Sequence, residues 1–189
     1  MSKSKTSRRD LLLGSGSAWI AAHWSGILEA QEHAARAVKS GTPGKLQYFS
    51  PEQAVEIESV TAQIIPTDDT PGAREAGSVH FIDRALATFD RDRQPVYDQG
   101  LKDLEAKTRE MFSGASKFSG LTSAQQVQLL KSIERTPFFQ QVRVHTVVGF
   151  FANPEYGGNA DKIGWKLIGF EDKFKFEPPF GYYDGNKQA

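Results

Sequence analysis

Hydrophobic positions recur at helical spacing through most of the chain, and no run alternates as a half-buried strand would. The first element opens at Ser50-Pro51-Glu52-Gln53, which reads as a serine N-cap, a proline at the first helical position and a glutamine closing a capping box. Val55, Ile57, Val60, Ile64 and Ile65 supply its stripe, and Pro66 ends it. The stretch from Pro66 to Gly72 is a loop by its turn residues. A second helix is predicted from about Glu75 to Phe89, with Val79, Ile82, Leu86 and Phe89 on one face. Asp90-Arg91-Asp92-Arg93 reads as a solvated charged turn after it. A third helix is predicted from Pro95 to about Ser113, on Tyr97, Leu101, Leu104, Met111 and Phe112. Thr122-Ser123-Ala124-Gln125 is another capping box, opening a helix through Val127, Leu130 and Ile133. Thr136-Pro137 opens the last, carrying Phe138, Phe139, Val142, Thr146, Gly149 and Phe150. The predicted fold class is therefore mainly α, with a small helical domain over residues 50–152.

Beyond Phe151 the periodicity stops. Residues 153–189 are rich in glycine and proline, and only Lys162–Ile168 has the makings of a helical turn or two. Yet 12 of the 21 aromatic residues fall between Phe138 and Tyr183. Aromatic rings supply large contact area with few rotatable bonds and are enriched where proteins meet. The tail is thus expected to wrap its own domain or to lie on a partner. The candidate interface residues are Phe150, Phe151, Tyr156, Trp165, Phe170, Phe174, Phe176, Phe180, Tyr182 and Tyr183. Trp165 fits a core position as well as an interface anchor. From Glu171 to Tyr183, where Pro178-Pro179 favours an extended path, the expectation is a partner.

The N-terminus has a different character. Lys3, Lys5, Arg8 and Arg9 stand against Asp10 alone in the first 22 residues, a net +3, while the remainder holds 19 basic and 22 acidic residues, a net −3. Ser7-Arg8-Arg9-Asp10-Leu11-Leu12 resembles a twin-arginine export signal, and a short, weakly apolar run extends from Leu11 to Ala22. That run is too short to span a bilayer, which needs roughly 20 residues. Residues 1–30 are read as the signal segment, with Ala22-His23 or Ala30-Gln31 as cleavage points, and residues 31–49 as a linker. The expected location is the periplasm. An uncleaved segment tethering the chain to the membrane is a further possibility at this stage.

Charge and chemistry narrow the function. A mildly acidic body lacks the basic footprint of a nucleic-acid binder. With no cysteine in its 189 residues, the chain cannot form a disulfide, a thiolate metal site or a covalent c-type haem. Neither a dinucleotide fingerprint nor a Walker loop occurs. Asp68-Asp69 has the oxygens for a hard cation but suits a turn before Pro71-Gly72 better. His145 suits a general base or haem ligand in type, but lacks a serine or carboxylate at a telling spacing, so a hydrogen-bonded core or interface histidine is expected. Gly157-Gly158-Asn159 suits an anion cradle or, more simply, a tight turn. Glu134 and Arg135 read as an exposed helix end. Twin-arginine export carries folded proteins, so this signal on a body without a cofactor site points to a passenger. A stand-alone enzyme or ligand-binding protein is the alternative, with His145, Asp68 and Glu155 as its only nominees.

Two blocks of residues carry a resemblance. The first is Ile65-Pro66-Thr67-Asp68 with Pro71-Gly72-Ala73, Glu75-Ala76-Gly77 and Phe81-Ile82-Asp83. The second runs from His145 through Asn153-Pro154-Glu155-Tyr156-Gly157-Gly158-Asn159 to Asp161 and Gly164-Trp165-Lys166-Leu167-Ile168-Gly169-Phe170. Together they resemble the gluconate 2-dehydrogenase subunit 3 family over roughly residues 50–170. Glu171 departs from the pattern, which has proline after the phenylalanine, and so leaves the path of the tail open. The resemblance implies a small, mainly helical, non-catalytic subunit without a cofactor of its own. It implies as partner a large FAD-binding subunit of the glucose–methanol–choline oxidoreductase type, often with a multihaem cytochrome c subunit. The small subunit would help the large one mature and take it through the twin-arginine translocase.

Overall fold

The computed structural model describes residues 45–175 and residue 177. The export-signal residues Ser7, Arg8, Arg9, Leu11 and Leu12, and the tail residues Phe176, Phe180, Tyr182 and Tyr183, lie outside them. Among the described residues the fold is helical and no strand forms. Helix α1 spans Pro51–Ile64, α2 Ser78–Ala87, α3 Gln94–Met111, α4 Ser123–Ile133, α5 Pro137–Phe151 and α6 Ile163–Leu167. Single 3-10 turns occupy Arg91–Arg93, Phe118–Gly120, Pro154–Tyr156 and Ala160–Lys162.

Helix starts follow the local chemistry of the chain. The Ser50 hydroxyl accepts from the Gln53 amide at 3.2 Å, and the Gln53 side chain accepts from the Ser50 amide at 2.9 Å. Thr122 and Gln125 repeat the arrangement at α4, and the Thr136 hydroxyl caps α5 ahead of Pro137. The second helix is shorter than its apolar stripe. Gly77 sits in the left-handed region at φ 65°, so α2 begins at Ser78 rather than near Glu75. It stops at Ala87, and the Thr88 hydroxyl turns back to donate to the Arg84 carbonyl at 2.6 Å. Helix α3 matches its expected span to within about two residues at either end.

Helix α5 is the centre of the bundle, packing against α1, α2, α3 and α6, with its widest contact on α2. Tyr97, Leu104, Phe118, Leu129, Phe138 and Val142 are among the side chains that close the core. Two members of the predicted stripes do not reach it. Val55 on α1 and Val127 on α4 are exposed, while Glu56 is buried beside Ile57. Glu56 caps the 3-10 turn across the core, accepting from the Phe118 amide at 2.9 Å and the Ser119 hydroxyl at 2.5 Å.

The end of the expected linker is part of the domain. Phe49 is buried, and the amides of Gln47, Tyr48 and Phe49 donate to the buried Asp83 carboxylate at 2.7, 3.0 and 2.9 Å. A single carboxylate on α2 therefore fixes the direction in which the chain enters α1. The Tyr48 hydroxyl donates to Asp98 on α3, and burial together with that carboxylate pushes its pKa up.

Candidate functional site

The two blocks that carry the resemblance are about 80 residues apart in sequence and meet in space. The Ala160 amide donates to the Ala76 carbonyl at 3.0 Å, and the Arg84 guanidinium reaches the Glu155 carbonyl. Within the first block Gly72 packs so closely that an added Cβ would lie 2.5 Å from the Ile65 carbonyl oxygen. Glu75 accepts from the Thr67 hydroxyl and the Gly72 amide, and the Thr67 bond above all holds its carboxyl below the usual range. Asp68 accepts from the amide and hydroxyl of Thr70 at 2.9 and 3.1 Å, a turn that uses its carboxylate locally.

In the second block the segment after α5 doubles back over the helix. Gly157 takes φ 98°, and Gly158 lies against the backbone of Gly149 on α5. Gly164 lies equally close to the Phe150 carbonyl. Asn159, wholly buried at φ 48°, ties both sides: its Nδ2 donates to the Ala152 carbonyl and its Oδ1 accepts from the Gly164 amide, each at 2.8 Å. The Gly157-Gly158-Asn159 turn therefore exists for close backbone crossing, and its asparagine is consumed in holding it.

The aromatic candidates divide. Phe150 has no exposed surface and belongs to the core, which corrects its assignment as an interface residue. Trp165 is buried, with its indole N–H donated to the Phe151 carbonyl at 2.8 Å, Phe170 edge-on at 5.1 Å, and the Lys162 ammonium 5.3 Å from its ring centre. It anchors α6 to α5 within the chain. Phe151 and Tyr156 are half-buried, and Phe170 and Phe174 are exposed.

One set of polar side chains in the interior is engaged together. Buried His145 places Nδ1 2.8 Å from the Tyr97 hydroxyl and Nε2 2.9 Å from an Asp90 carboxylate oxygen, with the Gln141 amide also 2.8 Å from Nε2. A carboxylate at Nε2 selects the tautomer protonated there and leaves Nδ1 to accept from Tyr97. Burial and the Asp90 charge push the Tyr97 pKa well up, so its hydroxyl remains a donor. Asp90 thus faces the core instead of standing in a wholly solvated turn, whereas Arg91, Asp92 and Arg93 are exposed as the sequence suggests. Its partnership with His145 spans 55 residues and leaves no mark in local spacing. The half-buried His80 on α2 has its pKa lowered by burial and by Arg84, which favours the neutral ring.

Two other features bear on ligands. A groove of about 400 Å³ between α1 and α3 is lined by Glu52, Glu56, Asp98 and Glu105 with Lys102 and Lys117. Glu56 is already committed to Phe118 and Ser119, Asp98 to Tyr48, and Glu105 pairs with Arg109 and Lys117. No group of three or more histidines and carboxylates suited to a metal occurs among the described residues, and no helix there is long and apolar enough to cross a membrane.

No curated protein and no solved structure matches the chain. The family model described as Gluconate 2-dehydrogenase subunit 3 matches residues 51–172, from the first residue of α1 to the tail beyond Phe170. That span takes in both interlocked blocks and more than half of the sequence, and the chain therefore belongs to the gluconate 2-dehydrogenase subunit 3 family.

Proposed function

We propose that this protein is the non-catalytic small subunit of a periplasmic, FAD-dependent sugar or sugar-acid dehydrogenase. Its work is to assist maturation of the flavoprotein subunit and to carry it through the twin-arginine translocase. The observation that bears most of the weight is the family match across the helical domain, since it describes a dehydrogenase subunit. The interior supports the same reading. His145, the side chain best suited to proton transfer, has Nδ1 taken up by Tyr97 and Nε2 by Asp90 and is buried. Asp68 is used in a surface turn, and Glu155 lies on an exposed 3-10 turn. His145 is thus buried, whereas Asp68 and Glu155 are exposed.

On this account the small chain lends its signal Ser7-Arg8-Arg9-Asp10-Leu11-Leu12 to a passenger and stabilises that passenger by binding its folded form. FAD belongs to the large subunit, and any multihaem cytochrome c subunit handles onward electron transfer. Replacing Arg8 and Arg9 together by lysine is expected to reduce the periplasmic flavoprotein to background while leaving the total amount synthesised unchanged. Cell fractionation followed by FAD fluorescence checks this. Undiminished periplasmic flavoprotein in the double variant contradicts the carrier role.

A further inference from the structure

The C-terminal half of helix α5, beyond the exposed Gln140 and Arg143, is apolar on the side that faces water. Val144, Val147 and Val148 are 47, 42 and 45 % exposed, and half-buried Phe151 continues their line one turn further on. Spacings of three, four and seven residues put these four side chains on one face. No acidic residue, lysine or arginine occurs from Val144 to Ala152. The opposite face, with Phe138, Val142, Thr146 and Phe150, is buried in the core. A helix segment with apolar side chains toward water as well as toward the core is the kind found enclosed by a further neighbour. Helix formation does not call for valine here either, because it is a weaker helix former than alanine, leucine or lysine.

More exposed apolar side chains follow in the next segment. Helix α6 is pinned to the end of α5 by the Trp165 indole and by the approach of Gly164 to Phe150, and Leu167, Ile168 and Phe170 beyond are exposed. Phe174 is fully exposed after them. Of the nine large apolar side chains exposed among the described residues, seven lie from Val144 onward. Helix α3 shows the contrast: its exposed positions carry Lys102, Asp103, Arg109 and Glu110.

We infer that the valine face of α5, extended by Leu167, Ile168 and Phe170, is the surface on which the FAD-binding subunit of the dehydrogenase docks. The inference rests on the accessory-subunit reading above. Membership in a family of dehydrogenase subunits supplies the occupant, a lasting neighbour within a complex. The chemistry of the face describes what that neighbour presents. A charged side chain set against Val144, Val147 and Val148 would lose its water without gaining a counter-ion, so the matching patch is apolar and uncharged. In the complex α5 becomes an enclosed central helix.

The absence of cysteine makes the test direct, because Val147→Cys introduces the chain's sole thiol at an exposed position. The full-length variant is purified alone and in complex with the FAD-binding subunit, treated with a maleimide, and its modification followed by mass. The expected result is rapid labelling of the isolated chain and at least tenfold slower labelling in the complex. Val55→Cys, at an exposed position on α1, is expected to react equally in both. Equal labelling of Val147→Cys in the two states overturns the proposal. Protection already present in the isolated chain also overturns it, assigning the face to a second copy if the mass is dimeric and to the chain's own tail if monomeric. Failure of the wild-type chain to assemble with any FAD-binding subunit is a separate result, which removes the accessory-subunit reading and this inference with it.

Discussion

Asp83→Ala is expected to unfasten the segment that leads into α1 and to destabilise the domain by about 4 kcal/mol. The carboxylate accepts from three consecutive amides, those of Gln47, Tyr48 and Phe49, and is itself almost fully buried. A hydrogen bond to a charged group contributes roughly 1.5–3 kcal/mol, and a buried donor left without an acceptor costs a comparable amount. Water can reach the half-exposed Gln47 and Tyr48 amides in the variant, which is why the three contributions do not simply add. Phe49, buried against Tyr97 at 5.8 Å between ring centres, would lose its anchor and part of its packing. Asp83→Asn retains one oxygen but turns an NH2 toward an amide, so about half the loss is expected there. Urea denaturation of the three proteins checks the order wild type, Asn, Ala. An alanine variant as stable as the wild type would mean that the amides find other partners.

Gly158→Ala is the second large effect. A Cβ at this position would stand 2.1 Å from the Gly149 carbonyl oxygen and 2.8 Å from its carbon, both backbone atoms of α5. No rotamer relieves a clash between main chains, so the segment carrying Asn159 and Trp165 must lift from the helix. The expected cost is about 3 kcal/mol or more, at the upper end for an overpacked site. Gly164→Ala meets the Phe150 carbonyl at the same 2.1 Å and should behave likewise. Because either change releases one shared segment, the double variant should lose much less than the sum of the two. Thermal denaturation and limited proteolysis report both consequences, with early cleavage between 152 and 170 while α1 to α4 persist. An unchanged melting temperature in Gly158→Ala would show that the crossing is looser than its geometry.

Which parts of this molecule could be read from sequence follows from how local their causes are. The capping boxes at Ser50-Gln53 and Thr122-Gln125, and Thr136-Pro137 ahead of α5, act within one turn, and all three helices begin where those residues place them. The start of α2 was less legible, because the stripe through Val79 and Ile82 says nothing of the left-handed turn at Gly77 that delays it. The distant partners of Asp83, Glu56 and His145 were invisible in spacing, since they lie 34 to 63 residues away. A signal for Asp83 does exist: it falls four residues after Val79, and Leu86 follows three residues later, so a carboxylate sits on an apolar face and must have buried donors to meet.

The aromatic tail shows the same limit from the other side. Ring content alone grouped Phe150 and Trp165 with Phe170 and Phe174, yet the first two are held within the chain and the last two are exposed. The valines of α5 drew no attention, because an apolar residue on a central helix is expected to be buried. Their exposure becomes visible only once the helix has been oriented by Val142, Thr146 and Phe150. The second family block, by contrast, explains itself in the fold: its glycines permit the chain crossing, and its asparagine and tryptophan fasten it.

The most direct measurement expresses the FAD-binding subunit with and without this chain and assays sugar or sugar-acid oxidation in the periplasmic fraction. The account predicts FAD-loaded, active dehydrogenase in the periplasm only when both are present. Full periplasmic activity from the large subunit alone, or turnover by this chain in isolation, would contradict it.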